Sequence, residues 1–598
     1  MLLEQINRAR ANPVAEVGIL QAIGDLSIQQ AYAYFKVDFA TFATDMAKFP
    51  ALPPLAPSSH LVQAARGHSQ WMLANALQAH EENGLGFVDR VNATGYVLTI
   101  VGESIYAYAD NPVYSHVGFE VDWGLYDGMG QPIAPGMQNP PGHRLNNHNP
   151  LFHEVGVGLV KGSNSSVAGG TVGPELYTID FATRSGSFPY VTGVAYFDLN
   201  SNGSYDVGEG LPGVRVDVAG SGYFAKSASS GGFAVPTSDG QHAVTFSAPG
   251  LASVAKTAVV SGGQNSKVDL RLDYVAPTLQ GPATPAVGQS NPYQPTPVPA
   301  ATAFKWVASR RFPVTSPLGA ENGQEGVSIE TSAGYPCIQT LRASSGSHSY
   351  RLTTPDGLDQ TLRLTNRYAG GTAPVLHFAV EFGYATTFQT LSAEISTDGG
   401  AMWTPVWSAS GHDANTDAAF ASKSVSLSAF AGREFQLRFR FHVPAGSSYY
   451  PSTDSIAGVF VDAIAFDDAY TLADVATGVI AASAAVPFIP PSTGEFALSV
   501  QPQASDRLLP AGPKLVVNAV VGIQLARPVI GPSGKVRIDF AVAGGTTPGG
   551  FFLERVTALG EAWQTDATAA LTTVSPGSYS YRTDPPAAGA VFYRVSAR

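Results

Sequence analysis

The stretch GHRLNNHNPLFHEVGVGL, residues 142–159, sets His143, His148 and His153 close together in a chain with 12 histidines among 598 residues. Imidazoles crowded in this way can share a divalent ion, act as general bases, or simply pack. A metal site needs further donors, and the upstream candidates are His80 in LQAHEENG and Glu103 in VGESIY. A second stretch, DLNSNGSYDVGE at 198–209, repeats side-chain oxygens at positions 1, 3, 5, 9 and 12, with Gly203 at the turn. That spacing wraps a hard cation in oxygen ligands, which assigns Asp198, Asn200, Asn202, Asp206 and Glu209 to Ca²⁺, with Ser204 contributing its carbonyl. The competing reading is an Asx-rich turn satisfied without metal. No serine nucleophile is indicated. Ser69 follows His68 and Ser115 precedes His116, but neighbours on a helix do not face one another, and neither serine sits in a Gly-x-Ser-x-Gly elbow.

The elements that must position these groups change character along the chain. The first 160 residues or so mix helices and strands. LLEQINRARANPVAEV puts Leu3, Ile6 and Ala9 on one face, with Pro13 limiting the run. SSHLVQAARGHSQWMLANALQAH carries Leu61, Ala64, Ala65, His68 and Met72 at helical spacing, with Ser58 or Ser59 as N-cap. FVDRVNATGY reads as a short helix stopped by Gly95, and VLTIVGESIYAYA as an extended or mixed segment. HEVGVGLVKG and ELYTIDFATR alternate as strands and are expected to pair with each other. From about residue 188 helices vanish. Residues 276–302 are rich in proline and read as an extended linker. In REFQLRFRFHV, Phe435, Leu437, Phe439 and Phe441 take one face and Gln436, Arg438 and Arg440 the other.

Composition bounds the rest. Charged residues are 13% of the chain, while Gly (63) and Pro (43) are abundant, as in β-rich, turn-rich extracellular modules. A net charge of −12 with no basic patch argues against nucleic acid as partner. The single cysteine, Cys337, permits neither an internal disulfide nor a thiolate metal cluster, and reads as a small buried apolar residue. No transmembrane helix is expected, since VIAASAAVPFIPP is too short and broken by proline. Met1-Leu2-Leu3-Glu4 does not open a signal peptide, and the modules favour a secreted or surface protein whose export segment lies outside this chain.

The ordered pieces INRARANP, His80, FVDRVNATGY, GES at 102–104, Trp123, PGHRLNNHNPLF and HEVGVGL resemble the CAP superfamily of cysteine-rich secretory, antigen 5 and pathogenesis-related proteins, in its disulfide-free bacterial branch. The resemblance covers residues 1–186 and implies an α-β-α sandwich with an open cleft lined by two histidines and two acids. It assigns His80, His143 and Glu103. The second acid is open among Glu120, Asp122 and Asp127, all near Trp123, with Asp122 preferred; the insertion GLYDGMGQPIAPGMQNP blurs the register. Two imidazoles with a nearby carboxylate suit Zn²⁺ or another divalent cation. Arg144 is expected to anchor its loop, and His148 and His153 to be surface or strand-flanking. Ser104, where the family has asparagine, keeps a short polar side chain for a turn or cap.

Residues 187–275, with the calcium loop between strands, resemble the Cna-B and SdrD-like B modules of bacterial adhesins, which are prealbumin-like β-sandwiches. Residues 303–474 resemble a jelly-roll sandwich of secreted bacterial proteins, in which Trp403 and Trp407 read as a core pair and Asp398 and Asp462 as turn residues. Residues 475–598 read as a C-terminal β-sandwich. The fold expectation is therefore an α-β-α head followed by three all-β modules. The functional expectation is a secreted or cell-surface protein whose head cleft binds a divalent metal and whose calcium-stabilised β-modules present it to an extracellular protein, glycan or cell-surface ligand. The alternative is a metal-assisted extracellular hydrolase of peptide or glycan using His80, Glu103 and His143, with Glu103 as base. A small-lipid binder is a third reading with little local support.

Overall fold

The structure is a computed structural model. It describes residues 1–166, 170–186, 188–331, 335–353, 358–413, 416–443, 456–543, 550–558, 560–586 and 591–597. Two compact units emerge. One comprises residues 1–275 with 298–302 and 503–508, and the other the remaining residues.

The first unit begins with helices α1 (Leu2–Ala11), α2 (Pro13–Gln21), α3 (Leu26–Phe35) and α4 (Phe39–Met46). Pro13 falls at the first turn of α2, where its missing N–H costs nothing, and the Asn12 side chain caps Ala15 N–H at 3.1 Å. After β1 (Ala56–Pro57) comes the long α5 (Ser59–Asn75), then α6 (Phe87–Ala93), β2 (Leu98–Ala109) and α7 (Pro112–Val117). The short α8 (Gly142–Asn147) precedes β3 (Glu154–Lys161), the hairpin strands β4 (Asn164–Ser166) and β5 (Gly170–Val172), and β6 (Glu175–Arg184). Strands order as β1-β3-β6-β2. β3 and β6 pair antiparallel from Glu154↔Ala182 to Lys161↔Glu175, as their alternation suggests.

Alternation of side chains splits the sheet into two faces. Val155, Tyr177, Ile179 and Phe181 bury against Leu2 and Ile6 of α1 and against Phe119 and Phe152. Ile105, Ala107, Leu176 and Ala182 bury on the other face against Leu61, Ala64 and Met72 of α5. Each fully buried leucine or methionine there stabilises the fold by roughly 1.5–3 kcal/mol. α5 lies so close to β3 that a Cβ on Gly156 would sit 2.1 Å from the Leu61 carbonyl carbon, and one on Gly158 would sit 2.2 Å from that of Ala65. The GVG spacing is thus a helix-on-strand contact that admits no side chain. Ser58 occupies the N-cap position of α5, but its hydroxyl makes no cap bond. Gly95, at φ +86°, follows α6 where the sequence places the stop.

Beyond Asn147 no α-helix occurs among the described residues. Strand β7 (Tyr190–Asp198) pairs with Gly232–Pro236, Ser266–Lys267 and Leu270–Asp273, while a second sheet runs Leu251–Val260, Gly240–Ala248, Arg215–Val218, Phe224–Lys226. The Phe233 and Phe246 rings meet 5.6 Å apart between these sheets.

In the second unit, Val459–Ala481 is a 23-residue strand at the centre of the largest sheet network. Phe435, Leu437, Phe439 and Phe441 are all buried in its core, as the alternation in REFQLRFRFHV dictates. Cys337 joins that core, and burial pushes its thiol up to about 12, leaving it inert. Two expectations need correction. The Pro-rich stretch is packed rather than free: Asn291–Pro295 pairs with Val486–Phe488, and Tyr293 is wholly buried with its hydroxyl donating to Pro282 O at 2.9 Å. Proline removes a donor but leaves φ suited to a strand edge. The tryptophans do not form a core pair. Trp407 packs edge-on to Phe378 in the core, whereas Trp403 precedes the strand and lies under the Arg363 and Arg438 guanidinium groups. Asp398 closes its turn by accepting Met402 N–H, and buried Asp462 accepts the N–H groups of Ser344 and Ser345. The last residues form a five-stranded and a three-stranded sheet around Ile538, Phe540, Phe551 and Tyr581.

Candidate functional site

α5 ends with Ala76 in the left-handed region, and the chain then turns back through His80 to α6. From α6, Arg90 donates through Nη1 to His80 O (2.9 Å) and Leu85 O (3.1 Å), and through Nη2 to Glu103 Oε2. Glu103, on β2, receives His80 Nδ1 at 2.9 Å on its other oxygen. A carboxylate at Nδ1 fixes the ring and its tautomer, so Nε2 presents a lone pair. The Glu103 side chain is fully buried while that of His80 is 52% exposed. Behind Glu103, register partner Asp180 is buried on β6. Burial, and next the Glu103 charge, push its carboxyl well above the usual carboxylate value despite the opposing pull of Arg90. Asp180 therefore keeps its proton where ordinary carboxylates have lost theirs.

The second imidazole is built the same way from different elements. Residues 118–122 close in a π-helical turn, and Asp122 takes the left-handed conformation at φ +57°. Its Oδ1 receives His143 Nδ1 at 2.9 Å, and its Oδ2 receives His143 N–H at 2.9 Å. Of the three acids near Trp123, only Asp122 meets His143. Glu120 instead binds Asn147 Nδ2 at 2.7 Å and His148 Nε2, and Asp127 closes its own loop through the N–H groups of Met129 and Gln131. The insertion after Trp123 does not carry Asp122 away. It folds back on itself, with Gly124 N–H on Gly136 O (3.0 Å) and Gln138 N–H on Asp122 O (2.7 Å), returning the chain to α8. Arg144 is buried and anchors this return through Glu120 O (2.8 Å), Val121 O and Asp45. Asn146 ties α8 to β2 by donating to Glu103 O (3.0 Å) and Ser104 Oγ (3.1 Å). Ser104 thus works within a strand, not at a turn.

Two of the imidazole–carboxylate pairs, His80–Glu103 and His143–Asp122, are thus connected through Asn146. No hydrogen bond joins the pairs directly among the described residues. Neither Nε2 has a hydrogen-bond partner there. His148 departs from its surface expectation: it is buried, stacked on Phe49 at 4.6 Å and paired with Glu120. The polar side of a histidine-rich loop turned inward because Glu120 was already there to receive it. His153 is half-buried and flanks β3, its N–H donating to Ala182 O at 3.2 Å. Ser69 donates to Gly158 O at 2.8 Å and lies 2.9 Å from the Thr178 hydroxyl, a packing role. Sequence reasoning missed Arg90 and Asp180. The signal for Asp180 was an acid at an inward position of the Leu176–Ala182 alternation.

Beside His143 opens a cleft of about 600 Å³. Phe35 from α3, Tyr106 and Tyr108 from β2, Trp123 and, from the insertion that follows it, Tyr126 wall it, together with Gln78. His80 is not among its lining residues. The wall drawn from α3 was unreadable in sequence, where SIQQAYAYF shows apolar residues but no partner for them.

The loop at 198–209 is held by its own polar groups. Asp198 accepts the N–H groups of Asn202 (3.1 Å) and Gly203 (2.9 Å). Glu209 accepts those of Leu199 (2.7 Å) and Asp206 (2.8 Å), and Asp206 receives the Asn200 and Asn202 amides at 2.9 and 2.6 Å. Among the described residues no group of three or more His, Cys, Asp or Glu side chains surrounds a common ion position, and no helix is long and apolar enough to cross a membrane.

Comparison with known proteins agrees with the N-terminal architecture. The family model of the CAP, or cysteine-rich secretory protein, family matches residues 4–181. No curated protein matches the chain. Among solved structures, an extracellular protein containing a SCP domain from Bacillus anthracis is 23% identical over 26% of this chain and 40% of its own, with a TM-score of 0.16. TmCBM61 in complex with β-1,4-galactotriose is 10% identical over 26% of this chain and 99% of its own, at 0.18. A carbohydrate-binding module described as belonging to the β-sandwich superfamily is 11% identical over 47% and 92%, at 0.16. The chain thus spans two fifths of the first of these structures. The N-terminal region is CAP-like.

Proposed function

We propose that this is a secreted or cell-surface multidomain protein whose CAP-like head binds an extracellular ligand at the cleft beside His143. The observation that carries this reading is the state of Glu103. Both its oxygens are committed, one to His80 and one to Arg90. A general base needs a free basic oxygen near its substrate. Glu103 instead holds a ring in place, and that supports binding over turnover.

Two imidazoles, each backed by a carboxylate, are the kind of donors that a divalent cation takes. His80 and His143 would hold it through Nε2, with Glu103 and Asp122 orienting the rings from behind, and water or ligand completing the shell. Such a cation would supply Lewis acidity and an anchoring charge for a polar ligand group. Two neutral imidazoles make a weak site compared with three-ligand zinc centres. The hydrolase alternative draws support from the same two dyads, since an oriented imidazole with a free Nε2 is also a base. Calcium is proposed at Asp198, Asn200, Asn202, Ser204, Asp206 and Glu209. The pattern of oxygens supports it, and the buried Asp198 and Glu209 carboxylates give the loop its negative charge.

The deciding experiment compares wild type, His80→Gln, His143→Gln and Glu103→Gln for Zn²⁺ binding by calorimetry and for turnover of peptide, glycan and ester panels. Binding of Zn²⁺ that weakens in both histidine variants, without turnover, supports the binding reading. Turnover lost in His143→Gln would establish the hydrolase instead.

A further inference from the structure

We infer that the cleft beside His143 is a binding site for an uncharged oligosaccharide, an inference that rests on the ligand-binding reading above. Three observations lead there. The first is the wall. Tyr34, Tyr108 and Tyr126 are 60%, 46% and 46% exposed, yet they converge on one concavity. Phe35 and Trp123 stack at 5.4 Å with 13° between planes, and Tyr126 stands edge-on to Phe35 at 6.3 Å, so this aromatic surface is braced by its own contacts. Rigid aromatic faces left open to water offer the C–H faces of a pyranose ring apolar area with little ordering cost.

The second is the polar set between the rings. Gln78 spends its Oε1 on Ala107 N–H at 2.8 Å, which leaves its amide hydrogens to donate. Gln138 spends its amide on Trp123 O at 3.2 Å, which leaves its oxygen to accept. Asp110 adds a further acceptor. Hydroxyl groups, which both donate and accept, match this mixture. An acyl chain would bury these groups unpaired. No lysine or arginine lines the cleft, so phosphate, sulfate and uronate find no side-chain counter-ion in its wall.

The third weighs against a strand-like peptide. β2 is an edge strand of its sheet and the natural place for an added strand. The Ala107 N–H, however, is taken by Gln78, and Glu103 O by Asn146. Main-chain pairing at those two positions is blocked, which disfavours an added strand and leaves recognition to side chains. The volume of about 600 Å³ falls in the usual range for small-ligand sites, roughly 300–1,000 Å³.

The test uses the full chain with cello-, chito-, manno- and galactotetraose, read by tyrosine and tryptophan fluorescence and by saturation-transfer NMR. At least one sugar is expected to bind, with affinity falling about tenfold in each of Tyr34→Ala and Tyr126→Ala, the equivalent of one aromatic contact. Tyr223→Ala, a 69% exposed tyrosine outside the cleft, should leave binding unchanged. Absence of binding by all four sugars, or binding indifferent to Tyr34 and Tyr126, overturns the inference. An extended peptide library and an apolar fluorescent probe run in parallel separate the two failures. Capture of either, lost in Tyr126→Ala, would sink the saccharide and keep the cleft as a ligand site; capture of nothing would sink both.

Discussion

The head contains the same chemical pair, an imidazole facing a carboxylate, in two settings. His80–Glu103 and His143–Asp122 leave one ring nitrogen without a partner, on side chains that are 52% and 20% exposed. His116–Glu16 and His148–Glu120 are entirely buried, and the ring nitrogen that each leaves without a partner, Nδ1, is shut in the core. Pairing alone therefore does not mark a site. In the buried pairs the histidine satisfies a carboxylate that the fold has already taken out of water; in the open pairs the carboxylate holds a histidine whose outer nitrogen remains usable. Glu16 shows the buried logic. Burial opposes its ionisation, but hydrogen bonds from Arg8 and His116 more than offset that and bring its pKa down to about 2.

The largest effect that sharpens this contrast is on stability. Removing His148 strands the Glu120 carboxylate in the core, so His148→Ala should cost about 3–5 kcal/mol in denaturant unfolding. His143→Ala and His80→Ala, which leave their carboxylates with Arg144 and His143 backbone N–H groups or with Arg90, should each cost about 1 kcal/mol or less. Equal losses at His148 and His143 would break the distinction.

Next in size is the acid limb. A lowered folded-state pKa means that the unfolded chain binds the proton more readily, so the stabilisation is present above the unfolded value of 4.5 and is lost as pH falls toward about 2. Glu16→Gln should remove about 3 kcal/mol of pH-dependent stability across that window. An unchanged acid limb in the variant would show that Glu16 is not the group responsible. Calcium should follow. If the 198–209 loop binds it, saturating Ca²⁺ at a hundred times Kd raises stability by about 2.7 kcal/mol, and Asp198→Asn with Glu209→Gln abolishes the gain. The smallest effect is electrostatic: His80→Gln, at an exposed ring, should shift the thermal midpoint by only about 2 °C while still weakening metal.

Much of this architecture was legible. The α5 periodicity, the β3–β6 pairing and the order of pieces around GES and GHR were all local patterns, and physics that acts locally can be read locally. Asp122 was only the preferred one of three acids, because its contact with His143 depends on how the insertion folds back through Gln138. The burial of His148 depended on Glu120, 28 positions earlier in the chain. The cleft wall joined α3 to the segment just before that insertion through Phe35 and Trp123, a contact between segments nearly 90 residues apart. The packed Pro-rich stretch failed for the same reason: its strand partner, Val486–Phe488, lies almost two hundred residues on. What sequence concealed was contact between distant segments, not element type.

The central claim is that His80 and His143 offer usable nitrogens while His116 and His148 do not. Ring-nitrogen NMR of the full chain during a Zn²⁺ titration tests it most directly. The account predicts shifts at Nε2 of His80 and His143, with the His116 and His148 rings unmoved. Shifts confined to the buried pair, or none at His80 and His143, would contradict it.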